Sequence, residues 1–526
     1  AQVIDSGGHS VDMQYDPNGN QTLQRDSAGN TVTRTFDARN QVLTETVYLT
    51  PDPDGSGSAS ASNGLTTRYV YNGAQLRFVV SPEGRVTEYR YDGYGQRTSA
   101  STYAGGAYPV AGLGVATSLT EAQLATWVGT QDRTQSTRSD MSYDARGQLQ
   151  QVTAYTAVDA SGAGVLNGKQ SVTQYVYDQS GLLLSTIGAT GGQSQFVYDG
   201  LGRILSSKDA LNQVTLTSYD DANNKTSVTL ANGLTTTSAY DRNGRLISVR
   251  DSSAQSANLG ETKYDYDKDN RLYLITDPTG AQTLRLYDEL GRLVGEVDPM
   301  GRLTEYAYNA DNLLSQKTVY ATPVSQSALA GAIANLATGS QAVATSALGS
   351  LRPSGGSQDQ KTWSIYDAAG RLVRTVRSDG AVSDISYDGA SRVIAITAYN
   401  KTISISGLGA APTLAETAPT LHAGKDRVTR NFYDADGLLR GTLDAEGYLT
   451  EFKYDAAGRL ASQTSYATAT TQSLRAAGTL ADLLPSTASG DMTSRWVRDA
   501  QGRISGEIDA EGYLAERVYD NAGNVT

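Results

Sequence analysis

The 526-residue chain contains no cysteine and only two histidines, His9 and His422. The first absence excludes a disulfide framework, though it does not fix the compartment. The second leaves a histidine-based metal site or nucleophile–histidine pair with nothing to be built on, since both fall in irregular segments. No run of eighteen apolar residues occurs and no signal-peptide pattern opens at Ala1, so the expectation is that nothing spans a bilayer. Basic residues are outnumbered, with a formal net charge of −12. That argues against nucleic acid and against an anionic membrane face as partners. Neither Gly-x-Ser-x-Gly nor Gly-x-Gly-x-x-Gly is present, and the Gly164 to Gly168-Lys169-Gln170 stretch misses both the spacing and the Ser/Thr of a phosphate loop.

Phe (5) and Trp (3) are scarce, whereas Tyr contributes 32 residues. The bias suits strands with one wet face, because Tyr packs its ring and keeps its hydroxyl hydrated. These tyrosines are periodic. Tyr-Asp pairs stand 21 residues apart at Tyr177, Tyr198, Tyr219 and Tyr240, at Tyr266 and Tyr287, and in the pairs Tyr366/Tyr387 and Tyr433/Tyr454. Variants at Phe36-Asp37, Tyr71-Asn72, Tyr308-Asn309 and Arg498-Asp499, with Tyr15, Tyr91, Tyr143 and Tyr519, bring the total to 18 copies. The chain is therefore a repeat protein before it is anything else.

Four residues after the aromatic comes Gly or Asn, with departures only at Gln75 and Ser391. Gly and Asn accept positive φ cheaply, and the Asp can bond the backbone ahead of it, so Tyr-Asp-x-x-Gly is a turn with a mechanism. The repeat-motif residues predicted to be structural are Tyr15, Asp16, Gly19, Tyr91, Asp92, Gly95, Tyr143, Asp144, Gly147, Tyr177, Asp178, Gly181, Tyr198, Asp199, Gly202, Tyr240, Asp241 and Gly244. Downstream they are Tyr287, Asp288, Gly291, Tyr366, Asp367, Gly370, Tyr433, Asp434, Gly437, Tyr454, Asp455, Gly458, Tyr519, Asp520 and Gly523. A second turn follows half a repeat later, as in Asp26-Ser27-Ala28-Gly29, Asp277-Pro278-Thr279-Gly280 and Asp444-Ala445-Glu446-Gly447. Two turns per repeat leave two short alternating segments, such as Leu303-Thr304-Glu305-Tyr306-Ala307-Tyr308, which read as strands. One repeat is then one β-hairpin, marginal alone and dependent on its neighbours. Equivalent tyrosines such as Tyr198, Tyr219 and Tyr240 are expected to stack ring on ring along one face.

Eighteen hairpins predict 36 strands, and a flat sheet of that width would be ~170 Å across. Sheets so wide curl, split or close. The predicted fold is all-β: an array of antiparallel hairpins forming a long spiralling sheet that curls into a hollow shell or tube. We expect one continuous unit over residues 1–526, as a segment of a longer polypeptide. Six insertions interrupt it, approximately at 49–66, 104–137, 156–172, 321–360, 400–426 and 467–492. Each follows a Tyr twelve residues after a motif aromatic: Tyr48, Tyr103, Tyr155, Tyr320, Tyr399 and Tyr466. That is the second-turn position, so all six are expected to leave from one edge. Ser118-Leu119-Thr120-Glu121 reads as a capping box ahead of Leu124, Trp127 and Val128. Leu329, Ile333 and Leu336 form another helical stripe, Leu480, Leu483 and Leu484 a shorter one, and residues 51–64 a flexible polar loop. Surface decoration and an edge that docks a neighbour or covers an opening both remain open as readings.

The heptapeptides Tyr366-Asp367-Ala368-Ala369-Gly370-Arg371-Leu372 and Tyr454-Asp455-Ala456-Ala457-Gly458-Arg459-Leu460 resemble the Rhs/YD-repeat family, and the resemblance covers essentially the whole chain outside the insertions. It implies a sheet spiralling into a hollow shell, as in Rhs polymorphic toxins, the cocoon components of insecticidal toxin complexes and the teneurin barrel. Bacterial members enclose a C-terminal toxin. By that resemblance the chain is expected to be secreted or at the bacterial cell surface. Its partners would be an effector or toxin domain of the same polypeptide, or neighbouring shell subunits through the insertion edge. The core segment that carries self-cleavage in such shells is not evident, nor is a plug or a toxin domain. Asp298-Pro299-Met300-Gly301 resembles that core's Asp-Pro-x-Gly, yet stands in register with the ordinary second turns. The expectation is a non-enzymatic structural scaffold with no catalytic, cofactor-binding or metal residues and no cofactor. An extracellular fibre- or tube-forming adhesion protein without cargo is the alternative. Asp265, Asp267 and Asp269 mimic the start of a calcium loop, but Asn270 and Thr276 stand where Gly and Glu are required.

Overall fold

The computed structural model describes residues 1–4, 8–52, 60–337, 345–356, 358–422, 424–499, 501–520 and 524–525. Its strands form one antiparallel sheet of 36, each bonded to its neighbours in sequence. The first strand, Gln2–Ile4, and the last, Leu514–Glu516, do not pair with each other, so the sheet spirals without closing.

The two turn types share one chemistry. At Asp199 the carboxylate Oδ1 accepts from the amides of Leu201 and Arg203, both at 2.9 Å, while Gly202 takes φ +79° and donates to the Asp199 carbonyl. Half a repeat on, Asp209 repeats the pattern with Leu211 and Gln213, and Asn212 supplies the positive φ. Ser391 holds the same conformation at φ +60°, so this departure in sequence is none in structure. The Gln75 departure is real. There the hairpin closes in two residues, Asn72 pairing with Gln75. A register shift precedes most motif aromatics, for example between Val197 and Tyr198 and between Leu286 and Tyr287. A bulge recurring once per hairpin bends and twists the strip steadily in one sense.

Strand alternation divides the residues cleanly. The motif Tyr lies on one face, and the residues one, three and five positions before it lie on the other. Insertions cover only that second face. All leave from the second-turn rim, and helix among the described residues is confined to them: α1 (Glu121–Gly129), α2 (Gln326–Ala337), α3 (Thr345–Leu351) and α4 (Leu480–Leu483). The α1 cap differs from the expected one. Thr120 rather than Ser118 is the N-cap, and Gln123 rather than Glu121 closes the box, because the chain stays extended through Leu119 to bury that side chain. Likewise residues 62–64 are strand rather than loop, with Tyr48 paired to Gly64 and Thr50 to Ser62. Residues 53–59 of that predicted loop lie outside the described residues.

Hydrophobic clusters form where an insertion lies on the sheet. Leu284, Leu286, Val297 and Leu303 pack beneath Leu336, Leu348 and Leu351, and Val70, Phe78, Val80 and Val86 beneath Leu119, Leu124 and Val128. Elsewhere the wall is one sheet thick. The accessible surface is 27,685 Å². A compact monomer of 55.6 kDa would expose about 18,000 Å². The excess is the surface of a thin wall wet on both sides.

Candidate functional site: the staple ladder, the insertion seats and the seam

Three recurring arrangements hold the wall together. The first is a ladder on the tyrosine face. Most motif tyrosines donate the hydroxyl to the carbonyl that opens the return strand of the preceding hairpin: Tyr198 to Leu183 at 2.7 Å, Tyr287 to Leu272 at 2.9 Å, Tyr454 to Leu439 at 2.9 Å. Tyr91, Tyr143, Tyr366, Tyr433 and Tyr519 do the same. Where Arg498 replaces the aromatic, its guanidinium reaches the Leu460 carbonyl instead. The rings do not stack on one another. Over seven of them, Tyr219, Tyr266, Tyr287, Tyr308, Tyr387, Tyr433 and Tyr519, lies an arginine from the preceding turn, Arg203 over Tyr219 at 4.1 Å and Arg292 over Tyr308 at 4.7 Å. Those arginines also bind their own turn aspartate, Arg203 Nε to Asp199 at 2.7 Å and Arg292 Nε to Asp288 at 2.7 Å, and Arg459 binds Asp455 in the same way at 2.7 Å. The Asp199 carboxyl is held below the usual range, first by the Arg203 amide. The aspartates that resembled a calcium loop are engaged in the same way: Asp267 accepts from the Asp269 and Arg271 amides, and Asp269 pairs with Arg271 at 2.8 Å.

The remaining motif positions follow suit. Asp16, Asp92, Asp144, Asp178, Asp241, Asp288, Asp367 and Asp434 each accept two forward amides, with Gly19, Gly95, Gly147, Gly181, Gly244, Gly291, Gly370 and Gly437 at positive φ. Tyr15 is 49% exposed and bonds only Met13, whereas Tyr177 and Tyr240 are partly buried in their strands. Asp520 accepts from Asn524 at 2.9 Å, and Gly523 lies outside the described residues.

The second arrangement seats the insertions. The six tyrosines that precede them turn to the covered face, and each meets a residue exactly fifteen positions earlier: Glu88 for Tyr103, Asp140 for Tyr155, Glu305 for Tyr320, Asp384 for Tyr399, Glu451 for Tyr466 and Thr33 for Tyr48. A cation completes each acidic seat, as Arg77 does at Glu88 (2.7 Å), Arg374 at Asp384 (2.6 Å) and Lys453 at Glu451 (3.3 Å). Burial drives Tyr320, Tyr399 and Tyr466 up to about 12, and the acidic partner adds to the rise. A few residues beyond the Tyr in every insertion but the one after Tyr155, the backbone donates to the glycine carbonyl of the preceding second turn, as Val324 does to Gly301 and Thr470 to Gly447, both at 2.8 Å. The acids were the residues missed from sequence. Their signal is the pairing of an acid three before the motif with Tyr twelve after it.

The third arrangement is a seam between successive revolutions. The turn after the seventh strand (Gln75–Val80) meets the turn after the thirtieth (Arg427–Tyr433). Asp436 accepts from Ser81 Oγ at 2.7 Å, from the Glu83 amide at 2.8 Å and from Arg85, while Glu83 accepts from the Ala435 amide at 2.9 Å. At the end of the fifth strand (Val42–Thr50) the Leu49 carbonyl takes the Gly389 amide at 2.8 Å, Gly389 following the twenty-eighth (Val382–Tyr387). A Cβ there would sit 2.2 Å from the Tyr48 carbonyl oxygen, so only glycine fits. Gln501, after the thirty-fourth strand (Met492–Arg498), donates to the Ala154 carbonyl that ends the eleventh (Leu149–Ala154) at 2.6 Å. His9 lies 3.2 Å from Asp311, after the first and twenty-fourth strands respectively. Every crossing spans 23 strands, which at ~4.8 Å each gives a circumference of about 110 Å and a backbone diameter of about 35 Å.

Two family descriptions match within this array, the teneurin YD-shell over residues 209–335 and the RHS repeat over residues 433–471. The repeat is of the Rhs/YD type. No curated protein matches the sequence. The YD-repeat sheet superposes on the crystal structure of TcdB2-TccC3 with TM-score 0.62 and 15% identity, over 100% of this chain and 26% of that one. TcdB2-TccC3 without its hypervariable C-terminal region gives TM-score 0.45 and 16% identity, over 98% and 27% of the two chains. The Photorhabdus luminescens Tc holotoxin pore gives 0.44 and 15%, over 98% and 27%. The chain thus spans about a quarter of the length of the structures it matches, and with the first of them shares the unclosed spiralling YD shell.

Proposed function

We propose that this chain is a wall segment of a secreted or surface-borne YD-repeat shell and that it works by enclosure, without catalysing a reaction. The cargo is an effector or toxin domain carried elsewhere in the full polypeptide. The observation that carries the reading is the seam. A strip that meets its own previous revolution at the same 23-strand interval in four places forms a continuous barrier around an interior. The polar side chains fit such a role: turn aspartates are engaged with amides and arginines, and the acids under the insertions with tyrosines and cations. At 15% identity the likeness to TcdB2-TccC3 supports the shell fold, and the cargo class and the extracellular setting are this proposal's own, taken by analogy with it.

Electron microscopy of the purified chain tests the reading. A curved, hollow particle with a lumen is expected, together with no turnover of glycan, peptide or nucleic acid. A compact solid particle would remove enclosure, and self-cleavage abolished by Asp298→Ala would overturn the non-enzymatic assignment.

A further inference from the structure

The two faces of the wall differ in crowding. Five outgoing strands, those ending at Tyr177, Tyr198, Tyr219, Tyr240 and Tyr266, lie outside the insertion-covered clusters. In them ten of the fifteen residues one, three and five before the aromatic are exposed, Val197 by 55% and Leu216 by 51%. None of the fifteen on the tyrosine face is exposed, although Thr173, Ser194, Thr215 and Thr217 there are smaller. The return strands between them lack this contrast, because they open with short residues on the first face: Ser185, Ser206, Ser227 and Ser248. Side chains converge on the concave side of a curved sheet and splay on the convex side, so the tyrosine face is the concave one. The insertions agree. A side-chain layer of ~5 Å on each wall leaves a lumen of about 25 Å within the backbone circle of about 35 Å. Insertion-covered Phe78 and Leu284 stand fifteen strands apart around the spiral. Helices about 10–12 Å thick on both walls would all but fill the interior if they lay inside.

The concave face is also poor in charge. Two and four residues before the motif aromatic, the 18 copies place no acid and only three bases, Arg34, Arg285 and Arg517, against 17 charged residues at the 54 alternate positions. Each of the three is paired with a glutamate of a return strand: Glu45 at 2.7 Å, Glu296 at 2.9 Å and Glu507 at 2.7 Å. The return strands add Arg97, Asp251, Lys317, Arg377 and Arg440, of which Asp251 accepts from Thr236 at 2.7 Å and Arg97 lies over Tyr89 at 4.1 Å. Four before the aromatic stands Thr or Ser in 15 of the 18 copies. We infer that the tyrosine face lines the lumen, and that this lining of rings and hydroxyls meets an enclosed polypeptide through its backbone and apolar groups without selecting for its charge. The inference rests on the enclosure reading and names the surface that the cargo touches.

The chain has no cysteine, so single thiols can be placed at neighbouring residues on opposite faces. Leu216→Cys lies outside and Thr217→Cys inside, with Thr237→Cys and Ser238→Cys as a second pair should the first fail to fold. A maleimide carried on serum albumin is too bulky for the lumen. It is expected to label Leu216→Cys and to leave Thr217→Cys unlabelled, while small methanethiosulfonates label both. An anionic and a cationic methanethiosulfonate are expected to react at Thr217→Cys in nearly the ratio found for free cysteine, whereas a lumen of one sign would part them by roughly 10-fold or more. Albumin labelling confined to Thr217→Cys would reverse the faces and overturn the inference while sparing enclosure. Equal albumin labelling of both would remove enclosure itself. A roughly 10-fold split between the small reagents, or no reaction of either at Thr217→Cys, would overturn the uncharged lining.

Discussion

The seat beneath the second insertion gives the sharpest test of how this wall carries its attachments. Glu88 has a side chain only 5% exposed and accepts from Tyr103, from Arg77 at 2.7 Å and from Arg90 at 2.9 Å. Desolvation pushes its carboxyl up, but the Tyr103 hydrogen bond and the two arginines prevail and hold it below the usual range. Tyr103→Phe removes one donor and leaves both guanidiniums, so its cost is that of a hydrogen bond to a charged acceptor, about 2 kcal/mol. Glu88→Leu removes the acceptor from Arg77 and Arg90 and from the Tyr103 hydroxyl. Arg77 keeps Glu121 at 3.3 Å, which places the expected cost near ~3 kcal/mol, the lower end for a broken buried pair. The double variant should cost less than the sum, because both changes delete the same bond. Hydrogen exchange in α1 is the assay. That helix is held down by the seat and by Trp127, whose ring meets Tyr103 edge-on at 5.8 Å. Tyr103→Phe should speed exchange of the α1 amides by roughly 30-fold while the sheet strands keep theirs. Unchanged exchange in α1, or an equal acceleration in every strand, would refute the idea of a local seat.

Other outcomes follow from the same geometry. Gly202→Val should destabilise by roughly 1–2 kcal/mol in urea titration, because a side chain is forced to φ +79°; Gly202→Asn should be far milder, as Asn270 and Asn312 occupy the equivalent site. Tyr320, Tyr399 and Tyr466 are seated as neutral phenols with their titration raised from 10.0 to about 12, so their contribution is complete below pH 10 and is lost as pH rises through 12; protease sensitivity of 321–360, 400–426 and 467–492 should rise in that window before the sheet melts. Gly389→Ala should break the seam without unfolding the strip, seen as lost amide protection at residue 389 and a larger radius of gyration with unchanged circular dichroism, and retained protection would show that the seam is not closed there.

The strand count, the two turns per repeat and the common rim of the insertions were legible in sequence because each rests on local chemistry: Asx turns, positive φ, period-two alternation. What was not legible depends on residues distant in the chain. Where an arginine lies over a motif tyrosine it comes from the turn before, and nothing in the 21-residue spacing says whether ring or guanidinium fills the gap between Tyr198 and Tyr219. Glu88 and Glu305 looked like ordinary strand residues until the insertion tyrosines folded back fifteen positions onto them. Ser118 was read as a cap because it begins a matching tetrad, yet burial of Leu119 outweighed that local preference and moved the cap to Thr120. The seam was least readable of all, since Gly389 is one glycine among 54 until the close approach of Leu49 gives it a reason.

The strictly sequential meander has a consequence for how the chain acquires its shape. Every strand bonds to the strand made just before it, so the contacts that stabilise a hairpin exist as soon as that hairpin and its neighbour have been synthesised or exported. Such short-range contacts form fast, whereas the seam joins residues some 350 apart, such as Ser81 and Asp436. Order therefore grows along the chain from its first repeats, one hairpin at a time, and each segment is committed before the next emerges. A given repeat is met by the next revolution only some 300 residues later, as His9 is by Asp311, so each stretch of rim stays open while those residues are being added. Each part of the barrier closes only as the strand 23 places later arrives, as the thirtieth does at the seventh.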